Sequence, residues 1–362
     1  MRAAVLGAVG EPLSIEEVTG GNPGPGEVLV RVTASGVCHS DLSVCNGTLP
    51  LQLPAILGHE GTGVVEWAGR EVTRVRPGDR VIGSFLPACG RCRQCLADRS
   101  HLCEEAGRLL GRACGTRADG TALYPMTGLG TFAETMVCEE LSVVPVGTDL
   151  PDEVLALIGC GVTTGVGAAL NTAAVRPGST VAVVGCGGVG QAVIQGAKIA
   201  GASRIIAVDP VAYKRETALR LGATDALDPS DSGTGTVEGV RELTDGVGVD
   251  YAFEVIGNVA TIREAFSMTA SGGSCIVVGV PSAALDVAVP AAELIFGEKR
   301  LLGCLYGSAQ VRRDFPRLVR MVERGQLDVG AMVSRRITLD EVNGAFDAMA
   351  AGTVIRSVIV NA

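Results

Sequence analysis

The run Val181-Ala182-Val183-Val184-Gly185-Cys186-Gly187-Gly188-Val189-Gly190 constrains this chain of 362 residues more than any other. A short uncharged β-branched run is the mark of a buried strand. Here it enters a G-x-G-x-x-G turn and then an apolar, helix-like stretch to about Ala200. Arg204 to Asp209 repeats the strand pattern, and Val249 to Val255 and Ser274 to Val280 repeat it again. Strands alternating with helices imply an α/β domain with a parallel, doubly wound sheet. In that setting the turn is a dinucleotide fingerprint. Gly185, Gly187 and Gly190, with Gly188 and Val189 between them, let the backbone reach a pyrophosphate at a helix N-terminus. Asp209 ends the next strand, 19 residues after Gly190. Its carboxylate is placed to accept from adenosine ribose hydroxyls and to repel a 2′-phosphate, which favours NAD over NADP. The alternative is a glycine-rich turn that holds no nucleotide.

Twelve cysteines pose the next question. Four stand as C-x2-C-x2-C-x7-C at Cys89, Cys92, Cys95 and Cys103. Two-residue spacers let successive thiolates converge on one ion, and the fourth returns from a short loop. Four thiolates in a tetrahedron make a closed structural zinc site. The amino terminus shows no secretory pattern, so metal ligands or core residues are expected before disulfides, and a cytoplasmic setting with them. A second set is dispersed: Cys38 in Gly36-Val-Cys-His-Ser-Asp41, His59 in Gly58-His-Glu-Gly-Thr-Gly63, and Cys160 in Gly159-Cys-Gly-Val-Thr-Thr-Gly165. Singly, each is as easily a small buried residue. As a set they are three ligands with one zinc position left open for chemistry. Asp41 is then placed to orient His59 through its second ring nitrogen, and Glu60 is a carboxylate near the metal.

The rest of the chain sets limits. Charged residues are 19% and the hydrophobic set 47%, which excludes a disordered chain, and the length fits about two domains. A formal charge of -9 argues against a nucleic-acid partner. Val154 to Val175 and Pro177 to Ala197 carry no charge and are long enough to span a bilayer. Their polar residues and glycines fit buried soluble segments better, so no membrane partner is expected. The first third is β-rich, with β-favouring runs at Val28–Val32, Gly63–Trp67, Asp79–Ile82 and Phe132–Val137. Pro25-Gly26 and Pro77-Gly78 mark turns between them. Near the end, Val311, Phe315, Leu318, Val319 and Val322 line one helical face. Thr338-x-x-Glu341 has capping-box form, and Arg356 to Val360 reads as a closing strand.

The three constellations, in this order, resemble the zinc-dependent medium-chain alcohol dehydrogenases, close to the branch of class III and actinobacterial enzymes. The likeness covers nearly the whole chain. It implies a GroES-like β-rich catalytic domain, residues 1–161 completed by 305–362, around a Rossmann NAD-binding domain, residues 162–304, with the active site in the cleft. It implies two zinc ions per chain: a catalytic one on Cys38, His59 and Cys160, a structural one on Cys89, Cys92, Cys95 and Cys103. Ser40 matches the hydroxyl that takes the alcohol proton. His39 and Arg356 match pyrophosphate contacts, Lys214 a ribose contact, and Thr164 and Val189 residues that press on the nicotinamide. Val278 is a further cofactor position. Phe85, Met126 and Thr127 fall at pocket-lining positions. The family analogy also suggests a homodimer or homotetramer.

One departure stands out. Liver-type members carry a histidine five residues after the first cysteine ligand, as the last relay base. Here that position is Ser43, and the chain's only histidines are His39, His59 and His101. The implied activity is hydride transfer between a small-molecule alcohol or aldehyde and NAD. Two alternatives remain: a dehydrogenase of glutathione- or mycothiol-bound formaldehyde, with Arg108, Arg112 and Arg117 as anchors for the thiol's carboxylates, and a non-catalytic regulator that binds NAD and zinc.

Overall fold

The computed structural model describes residues 1–109, 112–230, 235–282 and 285–361. The chain divides into two compact units, Met1–Gly161 with Gln310–Ala362, and Val162–Ala309.

In the second unit six strands form one sheet. Its order is Asp225–Leu227, Arg204–Val208, Thr180–Val184, Val249–Glu254, Thr269–Val277, Arg300–Gly303. All five neighbouring pairs are parallel. Thr180–Val184 shows why its sequence lacks alternation: Val181 and Val183 enter one buried cluster and Ala182 and Val184 the other. Both faces are covered, so both must be apolar. The strand order reverses between Thr180–Val184 and Val249–Glu254, where open α/β sheets bind ligands beyond their carboxyl ends. The helix Gly188–Ile199 begins there. The strand expected at Ser274 starts earlier, at Thr269, and stops at Val277. The strands Asp225–Leu227 and Arg300–Gly303 carry too few β-branched residues to have stood out in the sequence.

The first unit holds two mixed sheets. In the larger, Glu27–Gly36 pairs with Glu60–Ala68 on one side and Arg356–Val360 on the other. Val28, Val30, Val32 and Ala34 alternate into the core along Glu27–Gly36. The closing strand thus brings the end of the chain against its beginning. Phe132–Val137 forms a strand only from Thr135, and that strand runs on to Glu139. The helix Val311–Glu323 buries Val311, Phe315, Leu318 and Val319, as its periodicity predicts. Thr338 and Glu341 make both reciprocal capping bonds ahead of the helix Val342–Ala350. The helical run Asp152–Thr172 is long and apolar enough to cross a membrane, but 83% of its most apolar window is buried within the fold, as in a core helix.

Candidate active site and metal centres

Cys38 caps the short helix His39–Cys45 with an extended backbone. Asp41, three residues on and fully buried, turns back over it. One Asp41 oxygen accepts the Cys38 N–H at 2.9 Å. The other accepts the Gly58 N–H at 3.2 Å and meets His59 Nδ1 at 3.0 Å. One carboxylate therefore ties both segments and aims the imidazole. The opposite nitrogen, His59 Nε2, is buried without a partner. Cys160 arrives on a one-turn π-helical stretch, Ile158–Val162, a wider turn that recurs at functional sites. Cys38, His59, Glu60 and Cys160 are all buried, and their ligand atoms lie within 4.8 Å of one another. The spacing of 122 residues between Cys38 and Cys160 is closed by the fold.

The electrostatics of this group fit a cation. A hydrogen bond from Cys160 and the nearby His59 hold the Cys38 thiol well below its usual range, against the opposing effect of burial. Burial alone would push His59 down, but the charge and hydrogen bond of Asp41, with Cys38, drive it up to about 10. The site thus attracts positive charge at His59 Nε2, where a metal would replace the proton. An orphaned imidazole nitrogen facing two thiolates is the donor set that zinc takes.

Glu60 does not reach this group unrestrained. Its Oε1 accepts the Gly161 N–H at 3.2 Å, and its Oε2 pairs with the buried Arg356. Gly36 lies opposite Glu60 in the sheet, and a Cβ there would stand 2.1 Å from Glu60 Oε2. Only a glycine leaves the carboxylate its place. Sequence reading singled out Glu60 and Arg356 but not their pairing, which joins residues 296 apart. It also gave no sign that the Phe85 ring packs edge-on against His59, with centroids 5.6 Å apart. Ser40 is half-buried, its Oγ 3.8 Å from Cys38 Sγ, and His39 is exposed. Met126 is buried, and Thr127 takes a positive φ of 52° in the turn that follows.

The four-cysteine loop is built differently. Its sulfurs also lie within 4.8 Å of one another, but all four residues are only half-buried. Backbone N–H groups feed them: Cys89 N–H to Cys103 Sγ at 3.3 Å, Cys92 N–H to Cys89 Sγ at 3.4 Å, Cys95 N–H to Cys92 Sγ at 3.5 Å. Hydrogen bonds, the Cys95 N–H first, draw the Cys92 thiol down to about 6, while burial pushes Cys95 up to about 12. The set fits zinc with no position left for substrate.

In the second unit, Gly187 caps the helix Gly188–Ile199, and a Cβ added to it would meet nothing within 4 Å. That open space at a helix N-terminus fits a pyrophosphate. At Gly190 the reverse holds: a Cβ would stand 1.9 Å from the Gly185 carbonyl oxygen, so the turn closes only on glycine. Asp209 is 5% exposed. Its Oδ2 accepts the Cys186 N–H at 2.8 Å and its Oδ1 the Val211 N–H at 2.9 Å, so it braces the glycine turn as well. Lys214, Thr164 and Val189 are half-buried in this unit, and Val278 is buried with its N–H on the Glu254 carbonyl at 2.8 Å. His39 and Arg356 belong to the other unit.

Known proteins agree with this architecture. Residues 24–152 match the alcohol dehydrogenase GroES-like domain, and residues 188–324 the zinc-binding dehydrogenase family. The chain is 40% identical to the NDMA-dependent alcohol dehydrogenase of Amycolatopsis methanolica, over 99% of this chain and 98% of that one. It is also 40% identical to the S-(hydroxymethyl)glutathione dehydrogenase of Synechocystis, over 99% of each. The crystal structure of an alcohol dehydrogenase zinc-binding domain protein from Burkholderia ambifaria superposes with a TM-score of 0.94 at 34% identity, covering 100% of this chain and 98% of that one. The chain therefore belongs to the zinc-dependent medium-chain alcohol dehydrogenases, with a GroES-like unit and a Rossmann unit in one polypeptide.

Proposed function

We propose that this enzyme interconverts an alcohol and its aldehyde with NAD(H), holding two zinc ions per chain. The observation that carries the reading is the buried group Cys38, His59 and Cys160 around an unpartnered His59 Nε2. The unit containing residues 1–161 acts as the catalytic domain, and Val162–Ala309 as the NAD-binding domain. When bound at Cys38, His59 and Cys160, zinc supplies Lewis acidity that favours the ionised alcohol. Asp41 engages His59 Nδ1 and so leaves Nε2 as the nitrogen that would ligate a metal. Ser40 relays the alcohol proton: its Oγ accepts that proton and passes its own hydroxyl proton on towards the cofactor ribose. Glu60, clamped by the Arg356 cation and the Gly161 N–H, is held in place beside the group. His39, Lys214, Thr164, Val189, Val278 and Arg356 hold the cofactor. Asp209 favours NAD, since a 2′-phosphate beside it sets like charges together.

The thiol-adduct alternative needs arginines ready for carboxylates. Arg112 is paired with Glu27 at 2.7 Å, Arg117 with Glu16 at 2.8 Å and Arg108 with Glu105 at 3.0 Å. Arg108 and Arg112 are 71% and 68% exposed, and surface pairs of this kind exchange readily, so these pairings do not decide between the two substrates. The test is NADH absorbance with a panel of alcohols, with and without glutathione or mycothiol plus formaldehyde. Turnover only in the presence of a thiol overturns the thiol-free reading; no turnover with any of them overturns the enzyme itself.

A homo-oligomer belongs to the same reading. Arg300–Gly303 ends its sheet, Leu301 within it is exposed, and so are Ile295 and Phe296 shortly before it in the chain, Phe296 by 88%. An apolar surface beside an open strand edge invites a second copy. Phe296→Glu should shift sedimentation to a smaller species, and an unchanged profile counts against this surface. A cytoplasmic setting belongs to the same reading, since cysteines proposed as metal ligands need a reducing compartment.

A further inference from the structure

An arginine that no motif singles out lies beside Asp209. Arg215 stands on the helix Ala212–Leu221. Its Nη1 donates to the Asp209 backbone carbonyl at 2.7 Å and pairs with Asp228 Oδ2, also at 2.7 Å. Asp228 directly follows the strand Asp225–Leu227, the parallel neighbour of Arg204–Val208, which Asp209 follows in turn. The two aspartates therefore end adjacent strands on the same edge of the sheet, and Arg215 bridges them. The pair is largely shielded, at 18% and 14% exposure. Asp228 is itself held: its Oδ1 accepts the Ser230 N–H at 2.9 Å.

An arginine near the carboxylate that reads the ribose is what a 2′-phosphate needs, because the guanidinium fork matches phosphate oxygens. Here both Nη1 hydrogens are already committed, one to a carbonyl and one to a carboxylate. Nη1 is thereby fixed between the Asp209 carbonyl and Asp228, and the Asp228 carboxylate balances the guanidinium charge. We propose that Asp228 is a second determinant of cofactor preference: by holding Arg215 against the Asp209 carbonyl, it withholds the cation that would otherwise pair with a 2′-phosphate. Discrimination against NADP then has two parts, repulsion at Asp209 and a sequestered arginine at Asp228. This rests on the NAD reading above and adds to it the residues Arg215 and Asp228.

The experiment titrates NADH and NADPH into purified full-length protein and reads binding by nicotinamide fluorescence. The variants are Asp209→Gly, Asp228→Asn, the double variant, and the double variant carrying Arg215→Gln. Asp228→Asn alone should change little, since Asp209 still repels the phosphate. In the Asp209→Gly background it should tighten NADPH a further ~10- to 100-fold, the size of one charge-assisted hydrogen bond, with NADH moved less than about 3-fold. Arg215→Gln should erase that gain. A double variant that binds NADPH no better than Asp209→Gly overturns the proposal, as does a gain that survives Arg215→Gln. Circular dichroism melts verify each fold, and Asp228→Ser serves as the second charge-removing variant if Asp228→Asn does not fold. Wild type that binds no NADH at all would instead overturn the NAD reading, an outcome visible before any variant is made.

Discussion

Two cysteine-bearing groups sit in one unit of this protein and differ in every respect that matters for chemistry. Cys89, Cys92, Cys95 and Cys103 span 15 residues, are half-exposed, and draw their hydrogen bonds from their own loop's backbone. Cys38, His59 and Cys160 come from three distant segments, are buried, and are oriented by one fully buried carboxylate. On the reading proposed above, the first group would be a closed cross-link whose loop is its whole environment. The second is assembled from a helix cap, the residue before the strand Glu60–Ala68 and the π-helical turn Ile158–Val162, and three ligands there would leave a position open. Locality serves a structural ion; dispersal lets a fold surround an open one.

The sharpest way to break this contrast is Cys38→Ser. It should abolish alcohol oxidation, by at least ~10³-fold given the several kcal/mol that a catalytic metal supplies. The protein should stay folded, and elemental analysis should fall from two zinc ions per chain to one. A single zinc in fresh wild type would end the two-site reading.

Asp41→Asn tests whether the dispersed group depends on its orienting carboxylate. The amide keeps the shape but loses the charge and one acceptor for Cys38, Gly58 and His59. Metal affinity or kcat/KM should drop about 10- to 100-fold, as when other outer-shell partners of metal ligands are changed. Zinc retention under chelator challenge measures it, and wild-type retention would show that the ring is aimed by packing alone.

Ser43→His sharpens the contrast on the side of proton release. Ser43 lies on the helix His39–Cys45, three residues after Ser40. A histidine base there titrates near an ordinary pKa of about 6.5, so its neutral, accepting form prevails above that pH. Wild type, lacking it, should oxidise alcohols best in alkaline solution. The variant should gain ~10-fold in oxidation near pH 7, less than a full general-base contribution where NADH release limits turnover. Superimposable pH profiles of kcat/KM would mean that the proton leaves by another route.

The smallest catalytic effect belongs to Cys95→Ser. Loss of the closed site should lower the melting temperature and remove one zinc, while kcat/KM below the melt moves by less than about 3-fold, because no substrate position is lost. An activity loss as large as that of Cys38→Ser would show that the two groups are not separate in function.

Much of this protein was legible in its sequence because the signals were local. The Gly185–Gly190 turn, its flanking strands and the C-x2-C-x2-C-x7-C loop each lie within one short segment, and glycine sterics or thiolate spacing dictate their form whatever surrounds them. The helix Val311–Glu323 and the capping box at Thr338 and Glu341 were readable for the same reason. Cys38, His59 and Cys160 were ambiguous taken alone and gained meaning only from the family likeness, since nothing in their own segments says that they meet.

Other features were decided by tertiary structure alone. Glu60 meets Arg356 because Arg356–Val360 pairs with Glu27–Gly36, which also pairs with Glu60–Ala68. Arg215 meets Asp228 because two strands run parallel side by side and end together. Thr269–Val277 begins five residues before the expected start at Ser274, since Thr269 pairs with Val249 on the neighbouring strand and is buried there. In each case the deciding partner is a charge or a strand remote in the chain. A backbone conformation is set by its own residues and near neighbours, whereas an ion pair or a buried polar group is set by what the fold carries to within about 3 Å of it.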